Sequence, residues 1–153
     1  MKFLCDQMLG TLAKWLRILG FDTYYANNLA DDSELIEIAK KEKRILLTRD
    51  KNLVYQARRE NISVIEISTT ELDEQLKTVL EDVEINHDLI LTRCLICNSV
   101  INDIKKDDVK NKIPDRVFEG NDEFWYCKKC DKIYWRGTHY NMMIDKITQI
   151  QKN

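Results

Sequence analysis

The chain has 153 residues, 44% of them hydrophobic and 33% charged, a composition that supports a packed core and excludes a disordered chain. Its formal net charge is −2, so any contact with nucleic acid must come from local basic patches rather than from a global positive field. No apolar run reaches the roughly 18 residues of a membrane helix, and Asp6 comes too early for a signal peptide, which predicts a cytoplasmic protein without a membrane partner.

Residues 1–80 alternate short apolar runs, typical of buried strands, with apolar residues at helical spacing. The predicted strands are residues 2–5, 23–26, 45–48 and 62–67. The apolar positions that mark the predicted helices lie in residues 9–19, 35–39, 53–57 and 72–80. The resulting order, βαβαβαβα, predicts an α/β fold with a parallel sheet flanked by helices, in a domain of residues 1–83.

Residues that typically end or begin helices lie at the expected positions. Gly20 is placed to end the first helix. Several polar side chains are candidate N-caps of the helices that come after them. These candidates are Asp6, Asp31 or Asp32, Asp50, and Thr69 or Thr70.

The helical pattern stops near residues 83–91, and two cysteine pairs dominate the remainder of the chain. Cys94 and Cys97 form one CxxC pair, and Cys127 and Cys130 form a second after a gap of 29 residues. Two such turns supply a tetrahedral set of thiolates for Zn²⁺. A redox pair needs only one CxxC, and disulfides are rare in the cytosol, so zinc is favoured over both.

The second predicted domain, residues 84–153, is therefore a small zinc ribbon with a C-terminal helix. Its four cysteines complete the coordination of Zn²⁺ and leave no position for a catalytic water, so the ion is predicted to be structural. The long gap between the pairs predicts a short helix before Pro114. The fifth cysteine, Cys5, lies in the first predicted strand and is expected to be buried.

Acidic residues follow the first three predicted strands: Asp6 after the first, Asp31 and Asp32 after the second, and Asp50 after the third. Ligands of parallel α/β folds bind outside the carboxyl ends of the strands, where these carboxylates can converge. Crowded carboxylates repel one another, and Mg²⁺ or Mn²⁺ relieves that repulsion. A metal held this way suits a nuclease or another phosphoryl-transfer hydrolase. The alternative, that these acids serve only as helix caps, stays open on spacing alone.

Other chemistries common to α/β folds lack their sequence signatures. A phosphatase with an aspartyl nucleophile normally has a second Asp two residues after the first, and here that position is Met8. The chain also contains no phosphate-binding loop, no dinucleotide fingerprint and no nucleophile elbow.

Four features spread over nearly the whole chain resemble one family. They are residues 3–20 (FLCDQMLGTLAKWLRILG), residues 46–50 (LLTRD), the two CxxC pairs, and residues 134–139 (YWRGTH). The family is that of PIN-like ribonuclease domains that carry a C-terminal zinc ribbon, the Mut-seven C-terminal RNase domain family.

The resemblance implies metal-dependent cleavage of RNA, with a structural Zn²⁺ and a catalytic Mg²⁺ or Mn²⁺. By position, Asp6, Asp32 and Asp50 match the family's metal-binding catalytic acids. One departure is Asn52, where many PIN-like domains have a further acid. An Asn carbonyl can bind a metal but supplies no negative charge, which also keeps open a non-catalytic RNA-binding or adaptor role.

Candidate RNA contacts lie beside the acids and in the ribbon. Arg49 precedes Asp50 and is a candidate phosphate ligand, with a plain surface role as the alternative. Lys128, Lys129, Arg136 and His139 stand among several aromatic residues, a mixture that suits stacking on single-stranded RNA. Those aromatic residues are Trp125, Tyr126, Tyr134 and Trp135. The alternative for the aromatic residues is that they form the ribbon's small core.

Overall fold

The computed structural model describes residues 1–27, 31–81 and 83–152. The chain divides into two compact units, Met1–Asn98 and Ser99–Asn153. Residues 84–98, with the first cysteine pair, are thus part of the N-terminal unit. The division into functional domains at residues 83 and 84 stays a prediction.

The N-terminal unit alternates strands and helices as predicted. Its elements are β1 (Lys2–Cys5), α1 (Gly10–Ile18), β2 (Asp22–Tyr25), α2 (Asp32–Glu42), β3 (Ile45–Thr48), α3 (Lys51–Arg59), β4 (Val64–Glu66) and α4 (Leu72–Leu80). Short 3₁₀ turns lie at Gln7–Leu9 and His87–Leu89. The strands form a parallel four-stranded sheet in the order β2-β1-β3-β4, which confirms the predicted α/β class.

The core of this unit consists of the apolar strand residues and one apolar stripe from each helix. Phe3 and Leu4 in β1 and Leu46 and Leu47 in β3 are fully buried. Burial of each such side chain stabilises the fold by about 1.5–3 kcal/mol. Since β1 lies between β2 and β3 and the three strands are parallel, the loops that follow them begin side by side at the carboxyl ends of the strands.

Two predicted helix boundaries have different outcomes. Gly20 ends α1 as predicted, with a left-handed φ of 93°. A Cβ at this position would lie 2.3 Å from the carbonyl oxygen of Leu89, so glycine is required. The prediction that Thr69 or Thr70 caps α4 is wrong, because the N-cap position is Glu71 and the Thr69 hydroxyl instead accepts a hydrogen bond from the Glu71 amide at 3.1 Å.

The C-terminal unit contains an antiparallel sheet and three helices among its described residues. Its elements are β5 (Asn102–Ile104), α5 (Lys106–Val109), α6 (Asp115–Gly120), β6 (Phe124–Cys127), β7 (Lys132–Tyr134) and α7 (Thr138–Lys152), with strand order β5-β6-β7. Helix α5 confirms the short helix predicted before Pro114. Helix α6, which begins directly after that proline, was not predicted. No helix in the described ranges has the length and apolarity needed to cross a membrane.

Candidate active site and metal centre

Asp6 is held at the end of β1 by two hydrogen bonds. Its Oδ1 accepts the backbone amide of Met8 at 3.1 Å, so Asp6 caps the 3₁₀ turn that leads into α1. Its Oδ2 accepts a hydrogen bond from the hydroxyl of Thr48 at the end of β3. The carboxylate therefore has a defined orientation. Burial raises the pKa of the neighbouring Cys5 thiol, and the negative charge of Asp6 raises it further. The thiol therefore stays protonated and unreactive.

Asp50 is the N-cap of α3, as the sequence suggested. Its Oδ1 accepts the amides of Asn52 at 2.8 Å and Leu53 at 3.4 Å. The amide of Asp50 in turn donates to the Thr48 hydroxyl at 3.0 Å. Since Thr48 also donates to Asp6, one fully buried hydroxyl links two of the three predicted catalytic acids.

The third predicted acid, Asp32, has no capping function. The neighbouring Asp31 caps α2, because its Oδ1 accepts the amide of Glu34 at 2.9 Å and the hydroxyl of Ser33 at 2.7 Å. Within the described residues, the carboxylate of Asp32 takes part in no hydrogen bond or ion pair. Asp32 is the first residue of α2, where the helix dipole favours a negative charge, but its carboxylate caps no backbone amide.

The pKa of Asp32 is raised from its ordinary value. Partial burial contributes most, and the negative charges of Asp50, Asp31 and Asp6 add to it. Acids from three separate loops therefore lie close enough for their charges to act on one another. This mutual repulsion and the oxygen donors fit a hard cation such as Mg²⁺ or Mn²⁺.

The three carboxylates are neighbours without forming a closed set of metal ligands. Across the described residues, the only group of three or more His, Cys, Asp or Glu side chains arranged to hold a metal ion consists of the four cysteines. Capping hydrogen bonds turn one oxygen of Asp6 and one of Asp50 toward the backbone. Their assignment as catalytic residues, together with Asp32, stays a prediction.

Arg49 and Asn52 flank the Asp50 position. The Nε of Arg49 is buried and has no hydrogen-bond partner among the described residues. An unpaired buried donor costs about 1–3 kcal/mol, so an acceptor from a bound phosphate would be favourable there. Asn52 is exposed, and its backbone N–H donates a hydrogen bond to Oδ1 of Asp50.

The four predicted zinc ligands cluster as expected from their spacing. Their sulfur atoms lie within 4.8 Å of one another; Cys94 and Cys127 are buried, and Cys97 and Cys130 are partly exposed. Four thiolates at such distances fit one tetrahedral zinc ion. The cluster is consistent with the predicted zinc ribbon.

Both cysteine turns share a local backbone geometry. Asn98 comes after the first pair with φ 71°, and Asp131 comes after the second with φ 52°. Asn and Asp tolerate this left-handed conformation better than other non-glycine residues. In the first turn the backbone N–H of Asn98 donates a hydrogen bond to the backbone carbonyl of Cys94 at 2.9 Å. In the second, the Tyr126 hydroxyl and the Asp131 carboxylate form a hydrogen bond of 2.6 Å.

The predicted ribbon contacts with RNA are exposed. Lys128 and Lys129 lie in the second cysteine turn, and His139 lies at the start of α7. The guanidinium of Arg136 stacks on two aromatic rings, 5.0 Å from the centroid of Trp125 and 5.1 Å from that of Tyr140. Residues 124–152 carry six Lys and Arg against two Asp and Glu, so this part of the chain is basic although the whole chain is not.

Thr48 is a site residue that the sequence reasoning did not identify. It lies directly before Arg49 and Asp50, at the end of a strand that is otherwise apolar. A buried polar residue at a strand end beside an acid was the available signal. Only the three-dimensional structure shows that its hydroxyl reaches Asp6, which is distant in sequence.

Comparison with known proteins agrees with this architecture. The model of the family described as the Mut7-C RNAse domain matches residues 1–147. The human protein named "Exonuclease mut-7 homolog" is 33% identical over 102 residues, which cover 63% of this chain and 12% of that protein. The chain therefore spans only a small part of the length of this curated relative. No solved structure matches.

Proposed function

The chain belongs to the Mut7-C RNAse domain family, and from that premise we propose that it hydrolyses RNA phosphodiester bonds in a reaction that depends on Mg²⁺ or Mn²⁺. The observation that carries the proposal is the carboxylate of Asp32, which has no capping function and whose pKa is raised by partial burial and, to a smaller extent, by the charges of Asp50, Asp31 and Asp6. A carboxylate placed among like charges lowers stability unless a ligand compensates for it. A divalent cation is such a ligand.

In this proposal Asp6, Asp32 and Asp50 hold the catalytic cation. When bound, the ion supplies a water of lowered pKa and offsets the charge that builds on the attacked phosphate. Capping and the Thr48 hydroxyl orient Asp6 and Asp50 before any ligand binds. Arg49 contributes a guanidinium whose buried Nε gains an acceptor when a phosphate oxygen binds.

The cysteine cluster holds a structural Zn²⁺, and the basic segment around it binds RNA. Stacking on Trp125 and Tyr140 restricts the Arg136 side chain, so less conformational entropy is lost when it contacts a phosphate. Lys128 and Lys129 add two exposed charges within the turn that carries Cys127 and Cys130. His139 adds a further exposed polar ring. Together these residues suit the backbone and bases of single-stranded RNA.

One observation favours a second candidate, an RNA-binding or adaptor protein without catalysis. Asp6 and Asp50 are accounted for as caps of a 3₁₀ turn and a helix, and the three acids are not among the described side-chain groups arranged to hold a metal ion. Asn52 also removes a charge that many PIN-like domains have. Both candidates share RNA binding by the ribbon and differ in whether the acids perform chemistry.

The deciding experiment measures cleavage of labelled RNA by the full chain in Mn²⁺ and in chelator, for wild type and two matched variants. Asp32→Asn removes the carboxylate that has no capping function. Asp31→Asn removes an adjacent charge while keeping a residue that caps well. We expect Asp32→Asn to abolish metal-dependent cleavage and Asp31→Asn to retain most of it.

Filter retention of the same RNA separates the two candidates. An active wild type and an inactive Asp32→Asn variant that still retains RNA support the ribonuclease. RNA that is retained but left intact by wild type in Mn²⁺ would reject the enzyme and favour the adaptor. Equal cleavage by both variants would show that Asp32 is not a catalytic ligand.

A further inference from the structure

Arg17 is a buried cation for which the proposed ribonuclease reaction has no use. It lies in α1, and only 8% of it is exposed. Its Nε donates to the carbonyl of Thr23 in β2 at 3.0 Å. Its Nη1 donates to the carbonyls of Leu95 and Ile96 at 2.9 and 3.2 Å. Those two carbonyls belong to the residues between Cys94 and Cys97, so one side chain connects the first cysteine turn to the parallel sheet.

Asn98 makes a second connection from the end of the same turn. Its side-chain Oδ1 accepts the amide of Thr23 at 3.0 Å, and its Nδ2 donates to Oδ1 of Asp22 at 2.7 Å. Its own carbonyl accepts Nη1 of Arg93 at 2.8 Å. Strand β2 is an edge of the sheet, and the backbone amide and carbonyl of Thr23 are thus paired with Asn98 and Arg17.

The charge of Arg17 also suits its place beside the cysteines. A zinc ion with four thiolates carries a net negative charge, and positive groups or hydrogen-bond donors around such a site stabilise it. A buried guanidinium in turn requires acceptors and negative charge nearby.

We propose that Arg17, assisted by Asn98, is a positioning residue of the zinc site, through which zinc retention depends on the hydrogen bonds between the first cysteine turn and strand β2. The inference rests on zinc occupying the cysteine cluster and is independent of RNA cleavage. Outer-sphere partners of metal ligands typically contribute about 10–100-fold in metal affinity. Arg17 reaches two carbonyls of the turn at once and adds its charge, so its loss is expected to fall within that range.

The test measures zinc content and the rate of zinc release to a chromogenic chelator, using the full chain. Wild type is compared with Arg17→Gln, Arg17→Lys and Asn98→Gly. The last variant keeps the left-handed backbone position while removing both side-chain hydrogen bonds. Val54→Ala is the control, because Val54 is buried in α3 and its truncation destabilises the fold without altering the cysteine turn.

We expect Arg17→Gln to release zinc about tenfold faster or more. Arg17→Lys, which restores charge without the forked geometry, is expected to fall between Arg17→Gln and wild type. Asn98→Gly should also release zinc faster, whereas Val54→Ala should release it at the wild-type rate. Chelation of zinc from wild type should increase hydrogen exchange in α1 and β2.

Each contrary outcome has a distinct meaning. Wild type purified without zinc would remove the premise. Zinc-loaded Arg17→Gln and Asn98→Gly variants that release zinc at the wild-type rate would overturn the positioning role. Equal acceleration in Val54→Ala would also overturn it, because it would show that general destabilisation is sufficient. An Arg17→Gln variant that does not fold leaves the decision to Asn98→Gly.

Discussion

Asp31 and Asp32 are adjacent acids at the start of one helix, yet only the carboxylate of Asp31 caps it. Asp31 accepts hydrogen bonds from the Glu34 amide and the Ser33 hydroxyl, although the sequence had left the capping role open to both acids. Asp32 is left with the repulsion of its acidic neighbours, which helps to raise its pKa. At these consecutive positions, Asp31 therefore caps the helix, whereas Asp32 is repelled by nearby negative charges.

The first prediction is that Asp32→Asn stabilises the metal-free protein at neutral pH. A carboxyl whose pKa is raised by folding is unfavourable once it ionises, so the variant gains stability above that pKa and loses the gain in acid. Solvent screening limits the gain to less than about 1 kcal/mol. Thermal melts in chelator across a pH series measure it. Added Mn²⁺ should raise the melting temperature of wild type and leave that of the variant unchanged; an equal rise in both would contradict metal binding by Asp32.

The second prediction concerns the hydroxyl of Thr48. Thr48→Val keeps the shape of the side chain but leaves the Asp6 carboxylate and the Asp50 amide without their shared partner. Loss of such buried hydrogen bonds should cost about 1–3 kcal/mol of unfolding free energy, measured by urea denaturation. Affinity for Mn²⁺ should fall as well, because both acids lose their fixed orientation. Thr48→Ser, which retains the hydroxyl, should restore most of both; a Val variant with wild-type stability would refute the link.

The third prediction compares two glycines. Gly20→Ala introduces a Cβ at a positive φ and 2.3 Å from the Leu89 carbonyl oxygen, so we expect a loss of more than about 2 kcal/mol. Gly120→Ala is the matched control, because a Cβ there meets nothing within 4 Å and alanine favours the end of α6. Denaturant melts of both variants provide the measurement. Equal stability of the two would rule out the close approach at Gly20.

The fourth prediction is a pH effect at Asp22. Partial burial opposes its ionisation, but hydrogen bonds from Asn98 and Arg44 and the charges of Arg44 and Arg93 lower its pKa overall. A carboxylate with a lowered pKa stabilises the fold above the pKa of the unfolded chain, and this stabilisation is lost as pH falls through the folded value. Asp22→Asn should therefore cost about 1.5–3 kcal/mol at neutral pH and much less in acid. A difference that does not vary with pH would contradict this assignment.

The fifth prediction tests the ribbon as an RNA-binding surface. Replacing Lys128 and Lys129 with Gln should weaken binding of single-stranded RNA and reduce the magnitude of its log–log salt dependence by about 1.4, since each phosphate contact contributes about 0.7. Binding curves over a range of salt concentrations measure the slope. The same change at Lys110 and Lys112, two exposed lysines of the same unit, should leave it unaltered. Equal slopes for the two double variants would rule out the cysteine turn as a contact.

Much of the architecture was predictable because it depends on local patterns. Apolar runs and helical periodicity identified the alternating elements of the N-terminal unit, and the parallel sheet could be inferred from their order. The spacing of Cys94, Cys97, Cys127 and Cys130 predicted a metal cluster, since a CxxC turn brings two thiolates together whatever surrounds it. The prediction of an N-cap at Thr69 or Thr70 was wrong because several polar residues near the start of α4 can occupy the N-cap position. Their spacing in the sequence does not show which of them does.

The sequence by itself determined the α/β class, the cysteine cluster and the set of candidate acids, because these depend on side-chain periodicity and short-range spacing. The tertiary structure alone decided that Thr48 joins Asp6 to Asp50 and that Arg17 binds two carbonyls of the first cysteine turn. Each of these is a contact whose formation depends on differences of about an ångström in donor–acceptor distance. Distances of that size between different elements arise from how the whole unit packs, and no local pattern of residues encodes them.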